Sequence, residues 1–279
     1  MEALAGIDHW SAQALLLGLS TTRVAVALML LPLFSPDTMP PLVRNAIFVA
    51  LAILSLALQP VVDVRALHAV LWLRLFGKEI FIGALVGLLF GSVLWAFEIA
   101  GQIIDMKTGA SLAQVVDPLS GHQTPLTAAF LSRLAGFAFM GSGGLLLLVG
   151  LMLQSFALWP VDAVLPPPRF AGVALVEAEF GRLATLGLLL AAPALVVLYL
   201  VEGVFGLVNR YAPQLNVFAL SSSVKLLAAQ ALLLLMLTSF VQVLVDDIAA
   251  RPPIVLRTLK ALLSPDLGTL PVGKPEGRR

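Results

Sequence analysis

No cysteine occurs in the 279 residues, which excludes disulfides, thiolate nucleophiles and cysteine-ligated metal. Histidine is nearly as scarce: His9, His68 and His122 stand far apart and show no ligand spacing. Charge is thin too, at 12% Asp, Glu, Lys and Arg against about a quarter in an ordinary soluble domain. A chain with so little charge cannot keep a globular surface in water. The first ten residues hold Glu2 and Asp8 but no Lys or Arg, so the basic start of a cleavable signal peptide is missing and the first apolar segment reads as a retained span. A net charge of +1, with no basic patch interleaved with aromatics, gives no sign of nucleic-acid binding. No H-E-x-x-H, Gly-x-Ser-Gly or Gly-x-Gly-Asp motif occurs, no phosphate loop, and no internal repeat.

What is present is apolar. Hydrophobic residues make up 59% of the chain, and uncharged stretches run through 46–62, 80–97, 134–161, 183–201 and 226–245. Roughly 20 apolar residues in a helix cross a bilayer core. A soluble core needs only one or two helices of that kind, so the expectation is an all-α, multi-span integral membrane protein. Six long apolar helices are expected, at about 12–34, 46–62, 80–97, 134–159, 183–201 and 217–245, arranged as bent helical hairpins. Turn chemistry separates them: Pro36, Pro40 and Pro41, then Pro60, then Pro118, Gly121 and Pro125, then Pro166, Pro167 and Pro168. Gly141-Ser142-Gly143-Gly144 interrupts the fourth run and predicts a bend or a tight turn between two helices. Residues 1–250 read as one membrane domain. Residues 251–279 read as a short cytoplasmic tail, largely disordered after a helix near 254–263.

Orientation gives conflicting signals. Six of the 17 Lys and Arg follow residue 250, which favours a cytoplasmic C-terminus. The N-terminus before Arg23 is acidic and favours the opposite side, yet six simple crossings would put both ends on one side. Either a span is miscounted or some hairpins do not cross lipid.

Three motifs stand out. Gly83, Gly87 and Gly91 lie four apart on one face of the third helix. Such a row lets another backbone approach closely, within the chain or from another subunit. Glu98, Gln102 and Asp105 follow at i, i+4 and i+7 and share a face. Carboxylates so near hydrocarbon need partners or water; the stripe either lines an aqueous path or subunit seam, or simply emerges into solvent. The richest stretch begins at Glu202, passes Gly206, Asn209 and Arg210, and ends in Pro213-Gln214-Leu215-Asn216. Pro213 biases Ala212 away from the α region and should stop the helix, leaving Gln214 and Asn216 to satisfy freed backbone groups. Arg23, Arg133 and Lys225, in or beside apolar runs, must each face a carboxylate, a carbonyl or water.

In these stretches the chain resembles the FliR/SctT family, the export-gate component of bacterial type III secretion systems and flagella. The resemblance covers nearly the whole sequence: Leu30-Leu-Pro-Leu-Phe-Ser35, Pro41-Leu-Val-Arg44-Asn45, Lys78-Glu79-Ile-Phe-Ile-Gly83, Gly101 to Gly109 with Asp105, Asp117-Pro118, and Asn209-Arg210-Tyr-Ala-Pro213-Gln214-Leu-Asn216-Val-Phe218. Phe218-Ala-Leu-Ser-Ser-Ser-Val-Lys225 looks closer to the virulence-type branch than to the flagellar one. It carries Ser222-Ser223 where that branch usually has Met-Pro, and Lys107 stands where an amide is common.

The resemblance implies bent hairpins that assemble with two small partners, SctR/FliP-like and SctS/FliQ-like, into a right-handed helical cone. In the family one copy of this component completes the ring, and much of the cone rises above the membrane on the periplasmic side. An SctU/FlhB-like protein, an ATPase and a large cytoplasmic gate protein are implied as neighbours. The resemblance also implies a loop after the Asp motif that plugs the closed channel, here Gly109, Ser111, Asp117, Pro118 and Gly121. It implies no chemistry and no cofactor. The expected function is therefore a subunit of the channel through which unfolded proteins cross the bacterial inner membrane. A secondary transporter, with Glu98, Asp105 and Arg210 as site residues, is the alternative; transporters usually carry repeats with broken helices in matching halves.

Overall fold

The structure, a computed structural model, describes residues 2–35, 38–57, 69–109, 125–163, 170–212, 214 and 217–263. Among these, all regular structure is helical. The order is α1 (Glu2–Met29), a 3-10 turn (Pro32–Phe34), α2 (Pro41–Ala57), α3 (Ala69–Thr108), α4 (Leu126–Gly141), α5 (Gly144–Leu158), α6 (Phe170–Tyr211) and α7 (Val217–Leu263).

The count of six long spans is corrected. Only α3, α6 and α7 are long and apolar enough to cross a membrane singly; α4 and α5 add a fourth span if the bent pair counts as one. Residues 14–29 of α1 and the whole of α2 are shorter apolar helices. The third apolar run, expected at about 80–97 with a polar continuation through Glu98 and Asp105, is one helix that also reaches back through Lys78 and Glu79 to Ala69. Those side chains have partners inside the chain, so they do not end the helix. The same holds for α7, which continues through Arg251, Pro252 and Pro253 to Leu263 and so carries helix across the expected start of the tail. Residues 264–279 lie outside the described residues.

The expected break at 141–144 is present. Gly143 adopts φ +78°, a left-handed value that favours glycine, and α4 and α5 meet at 72°. A Cβ on Gly144 would lie 2.6 Å from the Phe139 ring, so this turn needs small residues as well as a free backbone. Helix α6 ends at Tyr211, just ahead of Pro213, as expected.

Helix α3 is the mast of the fold, with α1, α4, α6 and α7 packed around it. The glycine row faces α1: a Cβ on Gly83 would lie 2.6 Å from the Arg23 carbonyl oxygen, and one on Gly87 2.4 Å from that of Ala27. Gly91 meets the Leu31 side chain at the end of the same seam. In the most apolar window of each helix, 72% is buried for α3 against 28% for α6 and 22% for α7. The core therefore forms around α3, and the α6–α7 hairpin presents most of its greasy surface outward.

Candidate functional site

Polar side chains buried in this fold gather into fasteners on α3. Near its start, Arg23 of α1 meets Glu79 in a two-pronged pair, Nε donating to Oε2 at 2.5 Å and Nη2 to Oε1 at 2.9 Å. Nη2 also donates to the Trp159 carbonyl at 2.9 Å, and the guanidinium carbon lies 4.0 Å from the Phe156 ring centroid. Lys78 sits 2.9 Å from Glu79 and donates to the carbonyls of Pro160, Val161 and Ala163 at 2.7, 2.8 and 2.9 Å. Arg23 and Glu79 are fully buried and Lys78 nearly so. Buried charges survive when both coulombic and hydrogen-bonding needs are met, and here α1, α3 and the segment after α5 meet them jointly. Arg23 was expected to face a carboxylate, a carbonyl or water, and it meets both the Glu79 carboxylate and the Trp159 carbonyl.

A second cluster joins α3, α6 and α7. The Arg251 guanidinium donates to Glu179, to the Ser92 hydroxyl at 3.1 Å, to the Leu89 carbonyl at 3.2 Å, and to Asp247 at 2.8 Å. Arg182 forks onto Asp247 at 2.6 and 3.2 Å and reaches Glu179 at 3.1 Å. Sequence reading did not single out these residues. The readable signal was a charge pair at i, i+3 in α6 and another at i, i+4 in α7, each flanked by apolar runs; that they face one another required the hairpin.

Asp105 forms the third fastener. Its carboxylate accepts the backbone N–H of Thr127 at 3.2 Å and of Ala128 at 2.9 Å, in the first turn of α4. A helix start has orphan donors and a positive dipole end, and Pro125 before it offers no side-chain cap. Asp105 supplies one from another helix. One turn earlier, a Cβ on Gly101 would lie 2.4 Å from the Ala128 Cα, so glycine is what lets α4 come close enough to be capped.

The shared face expected for Glu98, Gln102 and Asp105 is therefore divided. Asp105 is buried under α4, Glu98 is half-buried, and Gln102 is exposed, with its amide 3.4 Å from Glu98. The angular register was right; α4 begins level with Asp105 and covers only that end. Along the hairpin, Glu202 is exposed and lies 3.6 Å from Lys225. Lys107 stacks 4.2 Å over the Tyr199 ring. Asn209, Arg210 and Gln214 are exposed, as is Arg133 on α4, while Asn216 lies outside the described residues. Of the loop residues, Gly109 takes φ +77° at the end of α3, and Ser111, Asp117, Pro118 and Gly121 lie outside the described residues. The two ends of that loop are fixed, one by the Asp105 cap and the other by the Ser222 hydroxyl 3.4 Å from the Thr108 carbonyl. Among the described residues, no group of three or more His, Cys, Asp or Glu could hold a metal.

Comparison with known proteins fits this picture of a packed, apolar helix bundle. The profile of the family described as bacterial export proteins, family 1, matches residues 14–250. The Yop proteins translocation protein T of Yersinia pestis is 32% identical over 76% of this chain and 82% of its own. The surface presentation of antigens protein SpaR of Salmonella typhimurium is 33% identical over 87% of this chain and 88% of its own. The flagellar biosynthetic protein FliR of Bacillus subtilis is 30% identical over 67% and 72%.

Proposed function

Because the chain belongs to the bacterial export proteins, family 1, we propose that it is a subunit of the type III secretion export gate, forming part of the wall through which unfolded proteins cross the bacterial inner membrane. Helix length carries this reading. Exposed large apolar side chains run from Val173 to Tyr211 on α6 and from Leu220 to Ile254 on α7. At 1.5 Å per residue these faces are roughly 57 and 51 Å long, against a hydrocarbon core of about 30 Å. Lipid can cover little more than half of either face. Sister subunits must cover the rest, which favours a hetero-oligomer with SctR/FliP-like, SctS/FliQ-like and SctU/FlhB-like proteins.

The virulence-type branch fits the stretch before Lys225 better than the flagellar one. Glu98, Gln102, Glu202, Asn209, Arg210, Gln214 and Asn216 then serve as seam or conduit residues, and Asp105 positions the loop that follows it. We place the C-terminus in the cytoplasm on its excess of Lys and Arg. An odd number of crossings would let the acidic N-terminus lie on the other side, so the conflict in the charge pattern disappears. A transporter would need Asp105 available to an ion, and that carboxylate already holds two backbone N–H groups.

The test is co-expression with the neighbouring export genes and purification through a tag on this chain. A large complex containing the partners is expected; a solitary chain, stable and active alone, would overturn the reading. Deleting 111–122 in the intact assembly is expected to make the membrane leak ions, and unchanged conductance would remove the plug role from that loop.

A further inference from the structure

Helix α4 is built the wrong way round for a chain that stands alone. Its buried face is mostly small: Ala128, Ala135, Gly136 and Ala138 lie against the bundle with Leu131 and Phe139. Small residues let it sit tight on α3, where Gly101 meets Ala128. Its other large side chains point away. Leu126, Phe130, Phe137 and Met140 are exposed, Phe137 to 78% and Leu126 to 67%, and Arg133 is exposed among them.

These five residues follow at intervals of four, three, four and three. With 3.6 residues per turn they fall within an arc of about 80° and form a straight stripe about 21 Å long. The same alternation makes the seam of a coiled coil, into which a second helix packs its knobs. An extended chain repeats every two residues and has no match to it. Composition agrees, since Phe, Met and Arg are enriched where protein surfaces meet.

Lipid is the other candidate cover, because helices facing acyl chains also turn small residues inward. Arg133 decides against it. It stands seven residues from either end of the stripe, about 10 Å, so lipid along the whole stripe would meet a charge at its centre, which is costly. Helix α4 is also only 16 residues long, about 24 Å against a core of about 30 Å, and the 72° bend turns α5 off its axis. A protein seam can instead offer Arg133 a carboxylate held by two parallel hydrogen bonds.

We propose that the outward stripe of α4 seats a helix of a partner subunit, packed along Leu126, Phe130, Phe137 and Met140 and carrying an Asp or Glu opposite Arg133. The proposal rests on the multi-subunit reading above and specifies one of its seams. The two phenylalanines supply the adhesion, and Arg133 is a positioning residue that sets the axial register.

The experiment uses the full complex, purified through a tag on this chain with its partners co-expressed. A photoreactive phenylalanine analogue replaces Phe130 in one variant and Phe137 in another. Both are expected to join one partner segment that contains Asp or Glu, at sites about seven residues apart, because the two positions are about 10 Å apart along the axis. An extended partner would cover that distance in about three residues. Phe137→Ala is expected to lower partner recovery at least about tenfold, the scale of losing a central aromatic anchor. Arg133→Glu should do the same, and exchanging the crosslinked acid for Lys should restore recovery. Both side chains point away from the bundle, so the chain alone should elute and melt as wild type in either variant, which separates a lost seam from a lost fold. Adducts with lipid only, adducts within this chain, partner sites about three residues apart, or recovery unchanged by both substitutions would each overturn the seam while the assembly reading stands. A wild-type chain that recovers no partner sinks both.

Discussion

Removing the charge of Glu79 tests the central physical claim, that buried ion pairs hold this helix bundle together. Glu79→Gln keeps the shape and one acceptor but withdraws the negative charge from two buried cations. Lys78 would retain three carbonyl acceptors, and Arg23 the Trp159 carbonyl, the Ser155 hydroxyl at 3.3 Å and the Phe156 ring. Even so, an uncompensated pair of positive charges would remain buried in the interior. Breaking a buried pair by changing one partner costs about 3–5 kcal/mol, and the remaining dipoles place the expectation near 3. For a chain of this size that corresponds to a fall in Tm of roughly 6–12 °C. The assay is thermal loss of the monodisperse peak of the detergent-solubilised complex. Glu98→Gln serves as the control, because the half-buried Glu98 has only the Gln102 amide at 3.4 Å and should move Tm by less than about 2 °C. Equal melting of Glu79→Gln and wild type would refute the reasoning, since the cluster would then contribute specificity at most.

Other changes follow the same geometry. Gly87→Ala places a methyl 2.4 Å from the Ala27 carbonyl oxygen and should destabilise by about 1–3 kcal/mol, whereas Gly77→Ala meets nothing within 4 Å and should be neutral or slightly stabilising; paired melting curves decide. Asp105→Ala removes the cap on α4 and should cost about 1 kcal/mol, with Asp105→Asn retaining most of it; hydrogen exchange at Thr127 and Ala128 reads this directly. Gly101→Ala should raise exchange at the same two amides although position 105 is intact, because it pushes α4 away. Arg182→Ala leaves Asp247 only Arg251, and should loosen α6 from α7 near residue 182, seen as new protease sensitivity there.

The apolar helical fold, the break at 141–144 and the end of α6 were legible because they depend on local pattern: apolar runs, a glycine cluster, and a proline after Tyr211. Helix ends were misjudged at Lys78–Glu79 and at Arg251, since a single sequence shows a charged residue but not its partner. Arg23 could be said to need a carboxylate, a carbonyl or water; that Glu79 is the partner depends on how α1 crosses α3 at Gly83. Arg251 was placed at the start of a tail and instead sits fully buried at the heart of a cluster. The angular register of Glu98, Gln102 and Asp105 was computable, but burial was not, because it depends on where α4 begins.

The spacing of the fasteners along α3 explains how a bundle with so little directional packing holds one register. Glu79, Ser92 and Asp105 follow at equal intervals in the sequence, roughly 20 Å apart along the helix. Each interval turns the side chain about 220° around the axis, so each faces a different neighbour: α1 with the segment after α5, then α6 with α7, then α4. Apolar contact in lipid has little preference for one axial position over another, and one polar fastener per neighbour supplies that preference. The α6–α7 hairpin is thereby pinned near Glu179 and Asp247, while its other end carries the longer Glu202–Lys225 contact, Lys107 over Tyr199, and the Ser222 hydroxyl 3.4 Å from the Thr108 carbonyl. The pinned end should exchange amide hydrogens slowly whether or not partners are bound. The loosely tied end, about 196–235, should gain protection only when sister subunits cover its exposed leucines and valines. Uniform protection along the hairpin before assembly would mean that the free end is already held by this chain alone, and the division of labour between fixed and adaptable ends would fail.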